Sequence, residues 1–144
     1  MNKNKTFGIV ALLLLIIAVI IYFFACNKTI KQKQISYILQ GTTTINQGEI
    51  KLKIWDNNTE DGDSVKVFLD NKLIRDTLAL LYQPLQLNFG KLSKGEHLLG
   101  VVAINEGITS PASASMSISN ETETKDFEMN ATKDSAASWK IIIQ

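Results

Sequence analysis

A chain of 144 residues with 15 basic and 14 acidic side chains has room for one ordinary domain and carries a formal charge of only +1. Length therefore excludes a pair of typical domains, and charge excludes the basic field that nucleic-acid binding needs. A single cysteine and a single histidine exclude an internal disulfide and a zinc centre built from those two residue types.

The charge is unevenly placed. Lys3 and Lys5 precede 19 uncharged residues, Phe7 to Ala25, and Lys28, Lys31 and Lys33 follow them. A basic start, an apolar centre and a small residue at the end are the parts of a secretory signal. The run is also just long enough to cross a bilayer as a helix, at about 1.5 Å per residue. A cleaved signal over residues 1–25 and a retained transmembrane helix are both open; in a retained span, the three following lysines oppose a cytoplasmic N-terminus. The motif Phe23-Phe24-Ala25-Cys26 resembles the lipobox of bacterial lipoproteins, and comes closest to its looser form in the Bacteroidetes, since Phe23 stands where the strict motif has Leu. The resemblance implies that Cys26 carries a diacylglyceryl group and becomes the N-terminus on cleavage; the alternative is a chance cysteine at the end of a span. Residues 27–31 contain no acid. In that group this favours a periplasm-facing position over export to the cell surface. The expected location is the bacterial cell envelope, with the membrane as partner through the lipid or the helix.

Residues 26–36 are polar, lysine-rich and without a helical stripe, and read as a tether. From Tyr37 the signal has period two. Ile50, Leu52 and Ile54 share one face, opposite Glu49, Lys51, Lys53 and Trp55; Val65, Val67 and Leu69 repeat the pattern. Asp70-Asn71 fits a tight turn, because both residue types tolerate positive φ. A mixed apolar run from Leu73 to Tyr82 follows, and Pro84 marks a boundary before Leu85, Leu87 and Phe89. After the turn at Lys94-Gly95, the segment His97–Asn105 is apolar on both faces and predicts a central strand. Ala114, Met116 and Ile118 point inward against Ser113, Ser115 and Ser117; Phe127 with Met129, and Trp139 with Ile141 and Ile143, complete the series. The spacing predicts an all-β fold: one antiparallel β-sandwich over residues 37–144, Ig-like or jelly-roll-like, of seven to nine strands.

Several of these segments resemble a recurrent small domain of secreted and lipid-anchored proteins of the Bacteroidetes. The likeness runs over about residues 48–143 and rests on Asp56-Asn57, Asp61-Gly62-Asp63, Lys94-Gly95-Glu96, Ala103, Asn105, Gly107 and Pro111. Ser110 and Ala112-Ser113 depart from its pattern. The resemblance implies a β-sandwich in the cell envelope and no particular activity.

The loop after Trp55 is the sharpest chemical feature. Asp56, Asn58, Glu60, Asp61 and Asp63 offer five side-chain oxygen donors within eight residues, the hard ligand set that calcium prefers. The spacing is not that of an EF-hand, whose twelfth position would here be Phe68. Turn geometry supplied by Asp, Asn and Gly is the plainer reading. Trp55 is a candidate stacking platform for a sugar, or a side chain packed under the loop. His97 reads as an exposed strand residue after the Lys94-Gly95 turn, since no Cys, Ser or acid sits around it in a motif that could be called a triad. Ser64, Thr77 and Ser135 each follow an aspartate in tripeptides matching a short O-glycosylation pattern of Bacteroidetes envelope proteins. No motif of a hydrolase, metalloprotease or phosphate-binding loop occurs. The expectation is therefore a lipid-anchored, non-enzymatic binding or adaptor module for an envelope protein, needing no cofactor. The alternative is a carbohydrate-binding module assisted by calcium, with a glycan as partner.

Overall fold

Alternation along the sequence becomes alternation in space in the computed structural model, which describes residues 15–20, 22, 35–56 and 58–144. The chain divides into two units, Met1–Gln34 and Ile35–Gln144. In the first, residues 15–20 and 22 are helical and exposed; no helix among the described residues is long and apolar enough to cross a membrane. The motif ending in Cys26 and the tether as far as residue 34 lie outside the described residues.

The second unit is built of nine strands: β1 (Tyr37–Ile45), β2 (Glu49–Trp55), β3 (Asp63–Leu69), β4 (Lys72–Ala79), β5 (Leu85–Lys91), β6 (Gly95–Glu106), β7 (Ala112–Ser119), β8 (Thr124–Ala131) and β9 (Ala136–Ile143). They form a five-stranded sheet in the order β1-β9-β6-β3-β4 and a four-stranded sheet in the order β5-β2-β7-β8. Every second residue of a strand faces the opposing sheet, and these are the apolar positions seen in the sequence. Ile50, Leu52 and Ile54 of β2, Val65 and Val67 of β3, Met116 and Ile118 of β7, and Ile141 and Ile143 of β9 are all buried in one core. β6 is the middle strand of its sheet. Leu99, Val101 and Ala103 line its core face. The neighbouring outer face is partly covered by Tyr37 and Phe68, whose rings meet edge to face at 6.4 Å, which is why this stretch is apolar on both sides.

The expected wholly antiparallel sandwich is corrected at one edge, because β1 runs parallel to β9. A parallel neighbour needs a long crossover, and here the rest of the domain supplies it. β1 also carries a bulge between Leu39 and Gly41. The bulge frees Gln40, whose side-chain amide donates to the carbonyl of Asn130 at 2.7 Å and accepts its N–H at 2.9 Å. A side chain thus occupies ladder positions on β8 that a further strand would take. Beneath the bulge, Trp139 of β9 stacks on Phe127 of β8 with ring centres 4.5 Å apart, joining the two sheets.

Gly41 lies against the Trp139 ring so closely that a Cβ there would overlap it. Because the ring is also held by Phe127, the overlap cannot be relieved by a simple rotation. Gly41→Ala is expected to destabilise the full chain by about 1–3 kcal/mol, the usual cost of overpacking, as a lower denaturant midpoint with unchanged slope. Gly90→Ala, where nothing lies within 4 Å but φ is 70°, is the comparison for a glycine lost to backbone strain without a clash.

Candidate functional site: an acidic pocket between two loops

At the end of β2 the chain leaves the sheet through Asp56. Its N–H donates to the carbonyl of Leu81 at 2.9 Å, and its Oδ1 accepts the N–H of Asn58 at 2.8 Å, an Asx turn. The loop returns to β3 through Asp61, Gly62 and Asp63. Asp61 Oδ2 accepts two backbone N–H groups of the β6–β7 loop, from Ile108 at 2.9 Å and Thr109 at 2.8 Å. Asp63 Oδ2 accepts the N–H of Ser113 at 3.2 Å. Each aspartate therefore spends one oxygen on backbone amides. Gly107 completes the fit: its φ of 60° is a left-handed conformation, and a Cβ at this position would run into the Asp61 carboxylate.

The second oxygens behave differently. Asp56 Oδ2, Asp61 Oδ1 and Asp63 Oδ1 are buried and meet no hydrogen-bond donor among the described residues. Asp56 and Asp63 are only 2% and 4% exposed. One oxygen from each of the three carboxylates lies within 4.8 Å of the others. They line a pocket of about 130 Å³, closed on its far side by Thr109, Pro111 and Ser113. Burial raises the pKa of Asp63; the Ser113 N–H opposes the shift, while the charges of Asp61, Asp56 and Glu106 add to it. Glu106 is held in the opposite sense: the Ser110 hydroxyl and the Lys133 N–H, at 2.7 Å from its Oε1, lower its pKa.

Of the five oxygen donors read from the sequence, three converge. Glu60 is exposed and turned away, its Oε2 accepting the N–H of Tyr82 at 2.9 Å. Asn58 is exposed on the pocket wall. Trp55 is half-buried at the last position of β2. The prominent exposed aromatic is Tyr82, 57% accessible, with its hydroxyl 3.4 Å from the Asn58 carbonyl. Sequence reasoning did not single it out; its place two residues before the boundary proline Pro84 is the one available signal. Ile108, 89% exposed on the β6–β7 loop, is also a new feature. Of the three Asp-Ser or Asp-Thr sites, Thr77 is exposed on the edge strand β4, whereas Ser64 and Ser135 are half-buried. The chain matches no family model, no curated protein and no solved structure.

The expected exposure of His97 is corrected. At the opposite end of the sandwich its side chain is 10% exposed and bridges two turns. Nδ1 lies 2.7 Å from Asp70 Oδ2, and Nε2 lies 2.9 Å from the Ser93 carbonyl and 3.4 Å from the Ser93 hydroxyl. The trio has the outline of Asp, His and Ser in a hydrolase, but both ring nitrogens face acceptors. The Ser93 carbonyl, 2.9 Å from Nε2, is met by a ring N–H, and an Nε2 that donates to it has no lone pair to offer the Ser93 hydroxyl. The arrangement is a clasp between the β3–β4 and β5–β6 turns. Burial pushes the His97 pKa down, but the hydrogen bonds to Asp70 and Ser93 and the Asp70 charge outweigh it, and the net shift is up.

A folded-state pKa above the unfolded value of about 6.5 stabilises fully below that pH, and the contribution is lost as pH rises through the folded value. Melting temperature measured from about pH 5.5 to 8.5 should accordingly fall more steeply for the parent than for His97→Gln. The difference should stay under about 1 kcal/mol, because Asp70 is half exposed.

Proposed function

We propose that the chain is a non-catalytic binding module of the bacterial cell envelope, held at the membrane by a lipid on Cys26 and facing the periplasm. Its binding end is the loop end around the acidic pocket. The observation that carries this reading is the company the pocket keeps. Ile108, Tyr82 and Leu81 are 89%, 57% and 46% exposed on the loops that supply or grip its walls. Large apolar side chains exposed on the loops beside a polar recess are costly on a free surface and characteristic of a surface that is covered by a partner. An envelope protein is the partner this end suits, as an adaptor would require.

The strand order supports an Ig-like rather than a jelly-roll-like sandwich. β2 lies beside β5, β3 beside β6, and β6 beside β9, the neighbours that the second, third, fifth, sixth and last strands of that fold keep. The β7–β8 hairpin takes the free flank of β2. In such folds, loops clustered at one end are the usual recognition surface.

A second reading, a carbohydrate-binding module assisted by calcium, is favoured by the Tyr82 ring beside the pocket, which offers a stacking face where Trp55 is half-buried. Retention on envelope polysaccharide that is lost in Tyr82→Ala would support it over the adaptor. Thr77 is the most accessible of the three residues matching the O-glycosylation pattern.

Two measurements on the full chain in its own membrane test the proposal. The N-terminal peptide should begin at Cys26 with added acyl mass, and Cys26→Ser should lose that mass and leave the membrane fraction; an unmodified cysteine would contradict the lipid anchor. A photo-crosslinking residue at position 108 should give one discrete adduct, weakened at least about tenfold by Tyr82→Ser, as for a hot-spot aromatic. A diffuse ladder insensitive to Tyr82 would contradict the binding end.

A further inference from the structure

We propose that Asp56, Asp61 and Asp63 form a binding site for a divalent cation of calcium's size and hardness, coordinated by the carboxylate oxygens that the backbone does not use. The inference rests on the same loop end as the binding reading. Cation uptake is measured with no partner present, so either can fail alone.

An acidic loop alone is ordinary. What sets this one apart is the division of labour within each carboxylate. Backbone amides of Asn58, Ile108, Thr109 and Ser113 fix the orientation of the three side chains through one oxygen apiece. The remaining oxygens are buried without a donor among the described residues. Two of the three residues are more than nine-tenths buried. Buried acceptors left unpaired are rare because desolvation is costly, and a bound ion is one of the few explanations. None of the four ion pairs among the described residues involves these aspartates, so no described lysine or arginine pairs with the cluster. Three carboxylates this close, each with one oxygen already committed, lack a counter-charge among the described residues.

The donor set selects the metal. It contains oxygen only, with no sulfur or imidazole, which favours hard cations over zinc or copper. Calcium takes six to eight oxygens in irregular geometry, whereas magnesium demands a near-ideal octahedron and gives up its waters reluctantly. Three monodentate carboxylates leave at least three positions. The polar side chains of Asn58 and Thr109 on the wall, water, or an oxygen of a bound partner can fill them. Because Asp61 is gripped by the loop bearing Ile108 while Asp56 and Asp63 border β2 and β3, a cation here would fasten that loop to both sheets.

The test uses the full chain in detergent at neutral pH, stripped with a chelator and titrated with calcium chloride alone, with magnesium chloride as the comparison. The expected calcium dissociation constant is on the order of 10⁻⁴ to 10⁻³ M, as in extracellular modules. At about 10 mM calcium the melting temperature should rise by about 5 °C, with a clearly smaller response to magnesium. Asp61→Asn should weaken binding at least about tenfold. Asp63→Asn separates a ligand from a mere backbone acceptor. In chelator it should melt at or above the parent, having lost one of three crowded charges, and in calcium it should melt below it. That variant keeps the proposal testable if Asp61→Asn fails to fold. A parent indifferent to calcium by both heat and melting would overturn the proposal. So would an equal response to magnesium, or an Asp63→Asn variant destabilised equally with and without calcium.

Discussion

The carboxylates of Asp56, Asp61 and Asp63 settle a conflict that every β-sandwich meets at its ends, where strands stop and backbone amides lose their ladder partners. Here the β6–β7 loop, from Gly107 to Pro111, has no strand beside it, and Asp61 takes its Ile108 and Thr109 N–H groups. Asp63 takes that of Ser113 as β7 begins. The exposure of Ile108, the need for glycine at 107 and the shape of the pocket all follow from these contacts. So does the charge problem, because acceptors placed to hold amides bring three negative charges together in a half-closed space.

The two ends of the sandwich treat their polar groups in contrasting ways. At the His97 end, acid and base meet: Asp70 accepts from Leu98 N–H at 2.8 Å with one oxygen and from His97 with the other, and every strong acceptor has a donor. At the acidic end the same two-oxygen geometry recurs three times with the second oxygen unanswered. The first end is self-sufficient and reads as structural. The second leaves three acceptors without a donor among the described residues, which is the physical basis for proposing recognition there.

Much of the fold was legible because burial in a two-sheet core imposes period two. Ile50, Leu52 and Ile54, or Ala114, Met116 and Ile118, could hardly face any other way. The parallel pairing of β1 with β9 was not legible, since it joins Tyr37 to Ala136 and no local pattern encodes a partner so far along the chain. The site was half legible. A cluster of Asp and Asn announces itself in sequence, but which carboxylates converge is decided by amides 47 and 48 positions away. Glu60 is drawn off by Tyr82, 22 positions on. His97 looked isolated for the same reason, its acid lying 27 positions before it across two turns.

The decisive question is what occupies the space between the three carboxylates. A diffraction experiment on crystals grown in calcium, with data collected for the anomalous signal of the ion, addresses this directly. The account predicts a single anomalous peak within about 2.3–2.6 Å of one oxygen from each of Asp56, Asp61 and Asp63, with the Asp61 grip on Ile108 and Thr109 retained. A density map without that peak, in which two of the carboxylates approach to hydrogen-bonding distance and share a proton, would contradict it.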